Sequence, residues 1–467
     1  MKNSKVYHRL KYIFVLLIVS YNDFFVGCLM VFSSILFSQL RDPSSPIKLN
    51  ANEASWIASI PSLISPLGLL IIGILTDKIG RRKAFQISFI PIIVSFLILA
   101  YSNTYETILI GRTVGGLIFG SDSCKFVYAS EICTPDRRQL LYSVMFMFVG
   151  FGMMTESIFA MFLHWQTVSL ILAVMSATGV VALFAVPESP TWLRAHGRVQ
   201  EAERAEQWLG LESGASVTTV DSDELSNNHT GATANRQDAS PSSPTCWSLY
   251  TRRSVWLPML IMLAFFACQE GSGLYVILSY SADVLRDFKV QWNDTMVNAF
   301  IALSRVMGSV MFTLMYNVKR RTLAITSFSG MTVSLIVIFA YGKIFPNTDR
   351  PFGDLVLTAA FVIYMFFTLI GAVPLPWTLT SEVFPSDVSG TMNGVVQTIS
   401  FIMMFAVTKL YPSMVMHLGV ENVWLIFTIV AILGVLFSIF IMPETKGVPL
   451  KDILAKFESP KKITQNV

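Results

Sequence analysis

The chain has 467 residues, of which 53% are hydrophobic and only 14% are charged. A soluble domain carries about a quarter charged residues, so this composition excludes an ordinary soluble protein and indicates a membrane protein. The net charge of +4 is small, and the Lys and Arg residues stand in short clusters between apolar runs. Such clusters report on topology and do not form a nucleic-acid-binding surface, so we expect a lipid bilayer and no nucleic acid among the partners.

Apolar runs of membrane-spanning length dominate the chain from one end to the other. A helix that crosses the bilayer needs about 20 mostly apolar residues. Twelve runs meet this requirement and predict an all-α membrane protein: 12–37, 54–76, 84–102, 105–129, 140–162, 167–186, 255–281, 295–317, 322–344, 355–380, 391–414 and 420–442.

The connections between these runs predict the topology. Lys and Arg residues near helix ends resist translocation and therefore mark the cytoplasmic side. Positive charge clusters at the N-terminus, at 78–83, 137–138, 194–204, 252–253 and 319–321, and at the C-terminus, whereas the alternate loops are short or charge-balanced. We therefore predict that both termini are cytoplasmic.

The chain also divides into two similar halves. Ser130-Glu131-Ile132 is echoed by Ser381-Glu382-Val383, and Pro187-Glu188-Ser189 by Pro443-Glu444-Thr445. Two parallel six-helix repeats with a substrate site at their interface are a transporter architecture. The predicted organisation is a first six-helix bundle at 1–186, a cytoplasmic linker at 187–253, a second six-helix bundle at 254–442 and a cytoplasmic tail at 443–467.

Within the linker two kinds of segment are expected. From Arg194 to Leu211, the residues Ala202, Ala205 and Leu209 recur at helical spacing among charged residues, which predicts a short helix. The stretch 212–245 is rich in Ser, Thr, Asn, Asp and Gly, cannot bury a core and is predicted to be disordered.

The connection between the second and third runs reads Gly73-Ile-Leu-Thr-Asp77-Lys-Ile-Gly80-Arg81-Arg82-Lys83. Its brevity predicts adjacent, antiparallel helices, and the motif resembles the corresponding loop of major facilitator superfamily transporters. Further motifs make the chain similar to the sugar porter family of that superfamily, most closely its insect facilitated trehalose and glucose transporter branch. They are Gly111-Arg112, Tyr128-x-x-Glu131 with Pro135 and Arg138, Pro187-Glu188-Ser189-Pro190-x-Trp192-Leu193, Gln269-Glu270-Gly271-Ser272-Gly273, Pro374-x-Pro376-Trp377, Ser381-Glu382-Val383-Phe384-Pro385 and Pro443-Glu444-Thr445-Lys446-Gly447.

This resemblance implies a charged gate at the cytoplasmic mouth. Carboxylates and guanidinium groups at helix ends form charge-assisted pairs, and pairs that bridge the two bundles would hold the mouth closed. The alternative is that these are solvated charges which only set topology. The second half departs from the family pattern at Tyr316–Arg321 and at Ser389, which predicts a weaker gate there and a protein that rests inward-open more often than a typical relative. The residues implied are Asp77, Arg81, Arg82, Arg112, Glu131, Arg138, Glu188, Arg321, Glu382 and Glu444.

The implied sugar site is partly altered. Gln269, Ser272 and Trp377 match the family's pattern, whereas Glu270 and Tyr275 replace the amides expected in the seventh helix. Since each well-placed hydrogen bond contributes about 0.5–1.5 kcal/mol net, lost amides should weaken sugar binding unless other groups compensate. The remaining candidates are Asn22, Ser304, Asn393, Gln397 and Ser400, although Asn393 and Gln397 are equally compatible with helix–helix hydrogen bonding.

Four ionisable residues, Asp23, Glu156, Glu270 and Arg305, stand inside apolar runs. Ionisable residues at membrane depth usually face a cavity or a partner. Two hypotheses follow: either Glu270 or Asp23 pairs with Arg305 across a cavity, or one carboxyl carries a proton and couples transport to pH. The ion pair is favoured, because Arg305 has no other evident counter-charge.

These features predict a transporter that moves a hexose or trehalose across the plasma membrane by alternating access, as a facilitator or coupled to protons. Two alternatives stay open: a non-transporting sugar sensor, and a porter for a charged or aglycone solute. The chain has no nucleophile–base constellation, phosphate-binding loop or metal cluster in its sequence pattern, so we expect no enzyme activity, no cofactor and no metal. We further expect a monomer.

Overall fold

The computed structural model describes residues 2–43, 45–132, 138–210, 252–345, 351–385, 388–448 and 450–458. Within these ranges the regular secondary structure is entirely helical. Eleven of the described helices are long and apolar enough to cross a membrane. A twelfth segment runs from Tyr105 to Ile132, where a short 3₁₀ turn separates two helices of 12 residues each. The prediction of an all-α membrane protein is confirmed.

The first half contains segments one to six. Segments one, two and three are α1, α2 and α3, segment four is α4 and α5 with the turn Leu117–Gly120 between them, and segments five and six are α6 and α7. The helix bounds are α1 Lys2–Leu40, α2 Ala51–Ile79, α3 Arg81–Ala100, α4 Tyr105–Gly116, α5 Ser121–Ile132, α6 Arg138–Phe162 and α7 Trp165–Ala182, which a 3₁₀ turn Leu183–Ala185 extends.

Two short helices follow the first half, α8 (Pro190–Ala195) and α9 (Val199–Leu209). The predicted helical spacing is confirmed in α9, because Ala202, Ala205 and Leu209 are all buried. Ala202 and Ala205 pack with Trp192 of α8. The stretch 212–245, predicted to be disordered, lies outside the described residues.

The second half contains segments seven to twelve, followed by a short C-terminal helix, α18. Segment seven is α10 and α11, and segment ten is α14 and α15, joined by a π-helical turn at Thr368–Ala372; the others are single helices. The bounds are α10 Arg253–Glu270, α11 Leu274–Asp287, α12 Asp294–Leu314, α13 Arg320–Ile344, α14 Leu355–Phe367, α15 Pro374–Val383, α16 Ser389–Leu418, α17 Val420–Phe440 and α18 Leu450–Glu458. The twelve predicted runs all coincide with these segments, with ends that differ by at most six residues, except that α1 begins ten residues before the first run.

An even number of segments returns the chain to the membrane face from which it started. We call the face where α1 begins and α18 lies the terminal face, and the opposite one the distal face. At the terminal face the Lys11 ammonium lies 4.8 Å from the centre of the Trp208 ring, which connects α1 to α9. Segments one and seven, two and eleven, and five and eight pack across the boundary between the halves, whereas segments three and six, and nine and twelve, pack within their own half.

Segments one and five approach each other backbone to backbone. A Cβ atom added at Gly152 would lie 1.8 Å from the Phe24 carbonyl oxygen, and one added at Gly27 would lie 2.0 Å from the Val149 carbonyl oxygen. Small residues at such crossings let membrane helices gain van der Waals contact. Large apolar side chains such as Leu70, Val174 and Val333 are exposed on the outer surface, as the bilayer allows.

Candidate functional site

A small cavity lies at the centre of the protein, where the two halves meet. Its volume is about 50 Å³, enough for a few water molecules and too small for a sugar ring. Side chains from segments one, four, five, seven, eight, ten and eleven line it. The polar and aromatic members are Asp23, Asp122, Lys125, Phe126, Phe146, Tyr275, Arg305, Trp377, Phe119 and Phe401.

The wall from the first half carries a buried cluster of charges. The Lys125 ammonium forms ion pairs with the carboxylates of Asp23 and, at 2.5 Å, Asp122. Only 2% of the Lys125 side chain is exposed, so the pairing offsets the cost of burying its charge. The Asp23 Oδ2 atom has no hydrogen-bond partner among the described residues. Counted in their ionised forms, two carboxylates around one ammonium give this wall a net negative formal charge.

The predicted ion pair between Arg305 and Asp23 or Glu270 does not form in this structure, and that prediction is wrong for this conformation. Asp23 pairs with Lys125 instead, because segment four places that ammonium beside segment one. The Glu270 Oε1 atom accepts a hydrogen bond from the Ser400 hydroxyl at 3.5 Å. Arg305 is 3% exposed, and its Nε and Nη1 atoms have no hydrogen-bond partner in the described part of the chain.

The break in segment seven places several predicted binding residues together. α10 ends at Glu270 and α11 begins at Leu274, so residues 271–273 interrupt the helix near the centre. The Ser272 hydroxyl donates to the Gln269 carbonyl at 2.6 Å and lies 3.1 Å from the Tyr364 hydroxyl. These bonds satisfy Ser272 internally, whereas the buried Gln269 amide interacts with the Tyr275 hydroxyl of the next helix.

The aromatic wall is built by segments ten and eleven. Trp377 contacts Phe266 edge to face at a centroid distance of 5.5 Å and Phe401 at 6.0 Å. The π-helical turn before α15 and Pro374 at its first position interrupt the regular helix there. Pro374 and Pro376 both lack a backbone donor, which favours this break.

The remaining predicted binding residues lie away from the lining of this cavity. Asn22 accepts a hydrogen bond from the Ser121 hydroxyl at 2.6 Å, and Ser304 donates to the Ile301 carbonyl of its own helix at 2.8 Å. The Asn393 amide contacts Ser389 of the same helix at 3.5 Å. Gln397 is half-buried. The structure thus groups Asp23, Tyr275, Arg305 and Trp377, with Ser400 beside Glu270.

Two cavity residues, Asp122 and Lys125, were not predicted. Both stand in the run 105–129, whose apolar neighbours mask them when hydropathy is averaged. Their i, i+3 spacing places them on one helix face, which is the signal that could have identified them. Lys409 in segment eleven, described below, was missed for the same reason.

At the terminal face, Arg81 is the centre of a network of ion pairs and hydrogen bonds among predicted gate residues. Its guanidinium donates to Glu131, with Nη2 3.0 Å from Oε1, and to Asp77 at 3.3 Å. The Ser189 hydroxyl donates to Glu131 Oε2 at 2.5 Å. All four residues belong to the first half and α8, so these pairs brace one half and do not bridge the two.

Two other predicted gate residues, Glu188 and Glu444, occupy equivalent positions in the two halves. Glu188 Oε1 accepts from the Arg82 amide at 2.9 Å, while Glu444 accepts from the amides of Arg320 at 3.1 Å and Arg321 at 3.2 Å. Each carboxylate therefore caps the positive N-terminus of segment three or nine. Gly80 has φ +103°, and a Cβ there would lie 2.5 Å from Glu188 Oε2, so glycine is required at this turn.

The guanidinium groups of Arg82 and Arg321 also donate to carbonyls of their own halves. Arg82 Nη1 donates to the Val186 carbonyl at 3.2 Å, and Arg321 Nε donates to the Ser438 carbonyl at 3.1 Å. The prediction of pairs bridging the two bundles is thus not met by these residues in this conformation. The side chains of Arg138 and Glu382 lie outside the described residues, so their gate roles stay predictions.

Arg112 does not join this network. Its guanidinium is buried in the first half and donates to the backbone carbonyls of Leu29 at 2.7 Å and Ile57 at 3.1 Å. It also lies 5.5 Å from the centre of the Phe32 ring. Glu156 is buried near Arg112, with its Oε2 atom unpartnered in the described structure. Arg112 therefore ties segments one, two and four together.

Polar contacts between the halves join the distal ends of the segments. The Ser34 and Ser281 hydroxyls lie 2.6 Å apart, and the Asn298 amide donates to Ser34 at 3.2 Å. Arg41 forms an ion pair with Asp283, and burial lowers the pKa of Arg41 from its ordinary value. None of these contacts was predicted.

A second distal contact joins segments two and eleven. The Lys409 ammonium donates to the Asn52 side chain at 2.9 Å and to the Ser55 hydroxyl at 2.7 Å. It also lies 4.1 Å from the centre of the Trp56 ring, a favourable cation–π distance. A vestibule of about 390 Å³ lies beside these contacts, lined among others by Arg41, Asp283 and Tyr280. The distal side is therefore closed above the central cavity.

Solved structures with the same arrangement of segments support this description. The proton:xylose symporter XylE bound to 6-bromo-6-deoxy-D-glucose aligns with a TM-score of 0.73, at 17% identity, over 96% of this chain and 99% of that one. The inward-open xylose transporter XylE from E. coli aligns with a TM-score of 0.69, at 18% identity, over 95% and 99%. At these identities the likeness shows the fold: a twelve-segment membrane protein of the major facilitator class.

The sequence places the chain more narrowly within that class. The model of the family described as sugar (and other) transporter matches residues 12–457, so the chain belongs to this family. Facilitated trehalose transporters Tret1 are similar over almost the whole chain. The one from Polypedilum vanderplanki is 25% identical over 94% of this chain and 86% of its own length, and the one from Apis mellifera ligustica is 24% identical over 97% and 89%.

Proposed function

We propose that this protein carries a sugar, a hexose or trehalose, across the plasma membrane by alternating access. Membership of the sugar transporter family supports transport, and the similarity to facilitated trehalose transporters supports the sugar class. The protein acts as a monomer, and the terminal face is cytoplasmic. Residues 187–253 and 443–467 then form a cytoplasmic linker and tail around two six-segment bundles.

One observation carries this proposal: a polar cavity lies between the halves and is closed on the distal side. Its volume of about 50 Å³ is too small for a sugar, so the halves must part before a solute can enter. Contacts between the halves join their distal ends, through Ser34, Arg41 and Lys409. Entry from the terminal side, closure of that side around the solute and then opening of these distal contacts would complete one transport step.

The cavity walls offer suitable chemistry for a sugar. Trp377 and Phe401 form an aromatic surface for the apolar face of the ring. On the cavity lining, the Asp23 Oδ2 atom is buried without a partner in the described residues, so a hydroxyl group of the solute would satisfy it. Gln269 and Glu270 lie behind this lining, and in this proposal they reach the solute when the halves part. In this proposal Asn22, Ser304, Asn393, Gln397 and Ser400 are further solute-binding residues, which the solute contacts when the halves part.

The terminal-face network provides the rigid frame for this motion. Arg81 with Glu131 and Asp77, and the caps formed by Glu188 and Glu444, hold the helix ends of each half. Arg138 and Glu382 complete the gate in this proposal. Transport needs no ATP and is driven by the sugar gradient; Asp23 and Glu270 are the carboxylates on which proton coupling would depend.

Uptake of labelled D-glucose and trehalose by oocytes expressing the full chain, at two external pH values, tests the proposal. Saturable uptake that does not respond to pH is expected for a facilitator, and uptake that rises in acid indicates proton coupling. Trp377→Ala should reduce uptake, whereas Trp256→Ala, a half-exposed tryptophan on α10, is a matched control. Surface expression with no uptake of either sugar would overturn the proposal and favour a sensor.

A further inference from the structure

We infer that the central cavity also takes a sugar that carries a carboxylate, with Arg305 as the group that binds the carboxylate. This inference rests on the proposed function and names a substrate class for the same cavity. The probe that represents this class is D-glucuronate, which differs from D-glucose by a carboxylate in place of the terminal hydroxymethyl group. Arg305 is the only residue of the second half that brings positive charge to the described lining.

Arg305 differs from the other two buried cations described at this depth of the membrane. Lys125 has two carboxylate partners, and Arg112 donates to two backbone carbonyls. Arg305 lines the cavity with 3% of its surface exposed, and its Nε and Nη1 atoms find no acceptor among the described residues. An unpartnered buried charge is costly. An anionic ligand that pairs with the Arg305 guanidinium would therefore bind favourably, because it supplies the acceptors and the counter-charge that the protein does not.

The geometry of guanidinium favours a carboxylate. Its planar fork donates two parallel hydrogen bonds to a carboxylate, and such charge-assisted pairs are about twice as strong as neutral hydrogen bonds. The charge balance favours a monoanion. One carboxylate neutralises Arg305, whereas a phosphate monoester carries more negative charge and would face the net negative wall formed by Asp23, Lys125 and Asp122.

The rest of the cavity fits the neutral part of such a solute. Trp377 and Phe401 offer an aromatic surface to the sugar ring. On the opposite wall, the free Oδ2 atom of Asp23 can accept hydrogen bonds from hydroxyl groups of the solute. Tyr275 lies close enough to Arg305, Asp122 and Glu270 to interact with their charges. A ring with hydroxyls at one end and a carboxylate at the other would therefore contact both halves.

The test measures uptake into proteoliposomes containing the purified full chain. Labelled D-glucuronate, D-glucose and D-glucose 6-phosphate are compared for the wild type, Arg305→Gln and Arg305→Lys. The control is Arg204→Gln, which removes an exposed arginine of α9. We expect saturable D-glucuronate uptake whose kcat/KM falls about 10- to 100-fold in Arg305→Gln, the usual contribution of a hydrogen bond to an ionised partner. Arg305→Lys should lose less.

The melting temperature and monodisperse elution of Arg305→Gln in detergent measure its folding, and the control Arg204→Gln should keep the uptake of both D-glucose and D-glucuronate. If the wild type carries D-glucose but neither carries nor is inhibited by D-glucuronate, the inference is wrong and the proposed function stands. If D-glucuronate uptake is equal in wild type and Arg305→Gln, Arg305 is not the binding group. Preferred uptake of D-glucose 6-phosphate refutes the carboxylate class, and uptake of none of the three refutes both proposals.

Discussion

The hydroxyl oxygens of Ser34 and Ser281 lie 2.6 Å apart and join segment one to segment seven across the boundary between the halves. The Ala282 amide also donates to the Ser34 oxygen, at 3.1 Å. Both residues are buried, so the contact excludes water from the distal end of the boundary. Alternating access requires this contact to separate once in every transport cycle.

A disulfide at this position should stop transport reversibly. Replacing both residues by cysteine brings two sulfur atoms close to bonding distance with a small shift. Oxidation of Ser34→Cys/Ser281→Cys should abolish sugar uptake, and reduction should restore it, because the bond holds the distal side closed. Uptake is measured before and after each treatment, with the two single variants as controls. Undiminished uptake by fully cross-linked protein would contradict the proposed motion.

The charge cluster of the central cavity should tolerate loss of one carboxylate better than loss of its cation. Lys125→Met leaves Asp23 and Asp122 buried without a counter-charge, and breaking a buried pair in this way costs about 3–5 kcal/mol. Asp23→Asn leaves Lys125 paired with Asp122 and should cost clearly less. Melting temperatures of the purified variants in detergent measure the order.

Lys78→Met, at an exposed position of the terminal face, is the control for this series and should change stability by no more than about 0.5 kcal/mol. Equal losses for Lys125→Met and Asp23→Asn would mean that Asp122 does not share the ammonium.

The caps formed by Glu188 and Glu444 should contribute similarly in the two halves. Glu188→Gln and Glu444→Gln keep the shape of the side chain but remove the charge at a helix N-terminus, which is typically worth about 0.3–1 kcal/mol and up to about 2 when partly buried. Both variants should lower the melting temperature by similar amounts, whereas Glu203→Gln on exposed α9 should not. Unchanged stability with altered uptake would instead support a gate that bridges the halves.

Alanine should have opposite effects at two helical glycines. In Gly152→Ala the new Cβ would lie 1.8 Å from the Phe24 carbonyl oxygen, so segments one and five must separate, at a cost of at least about 1–3 kcal/mol. In Gly394→Ala nothing lies within 4 Å of the added Cβ, and the higher helix propensity of alanine favours stability by up to about 1 kcal/mol. Thermal unfolding of both variants checks the signs. A tolerated Gly152→Ala would contradict the close crossing.

The number and position of the segments followed from the sequence because bilayer thickness imposes a minimum apolar length. The interruptions of the helix within segments seven and ten were harder to predict. The prolines before Trp377 indicated the interruption of segment ten. Gly271 and Gly273 stand at the break in segment seven, where Gly273 has φ +85°, although the apolar length of the run 255–281 predicts one continuous helix. Helix propensity describes each segment by itself, whereas an interruption also depends on the polar groups and the packing of neighbouring segments.

The partners of charged residues could not be predicted from spacing along the chain. Arg305 and Glu270 were expected to pair because both are ionisable residues at membrane depth, yet rotation about each helix axis decides which faces meet. The motifs around Glu188 and Glu444 identified residues that matter at the terminal face. They did not reveal that each carboxylate binds backbone amides of its own half.

The close crossing of segments one and five packs these two helices into one rigid unit. Gly152 meets the backbone at Phe24, one residue from the Asp23 carboxylate, with no side chain between to absorb displacement. On another side of the same helix, Gly150 lies against Val306 of segment eight, next to Arg305. If the two halves move relative to each other along this contact, we expect the movement to displace both Asp23 and Arg305 and to change the distance between their opposite charges.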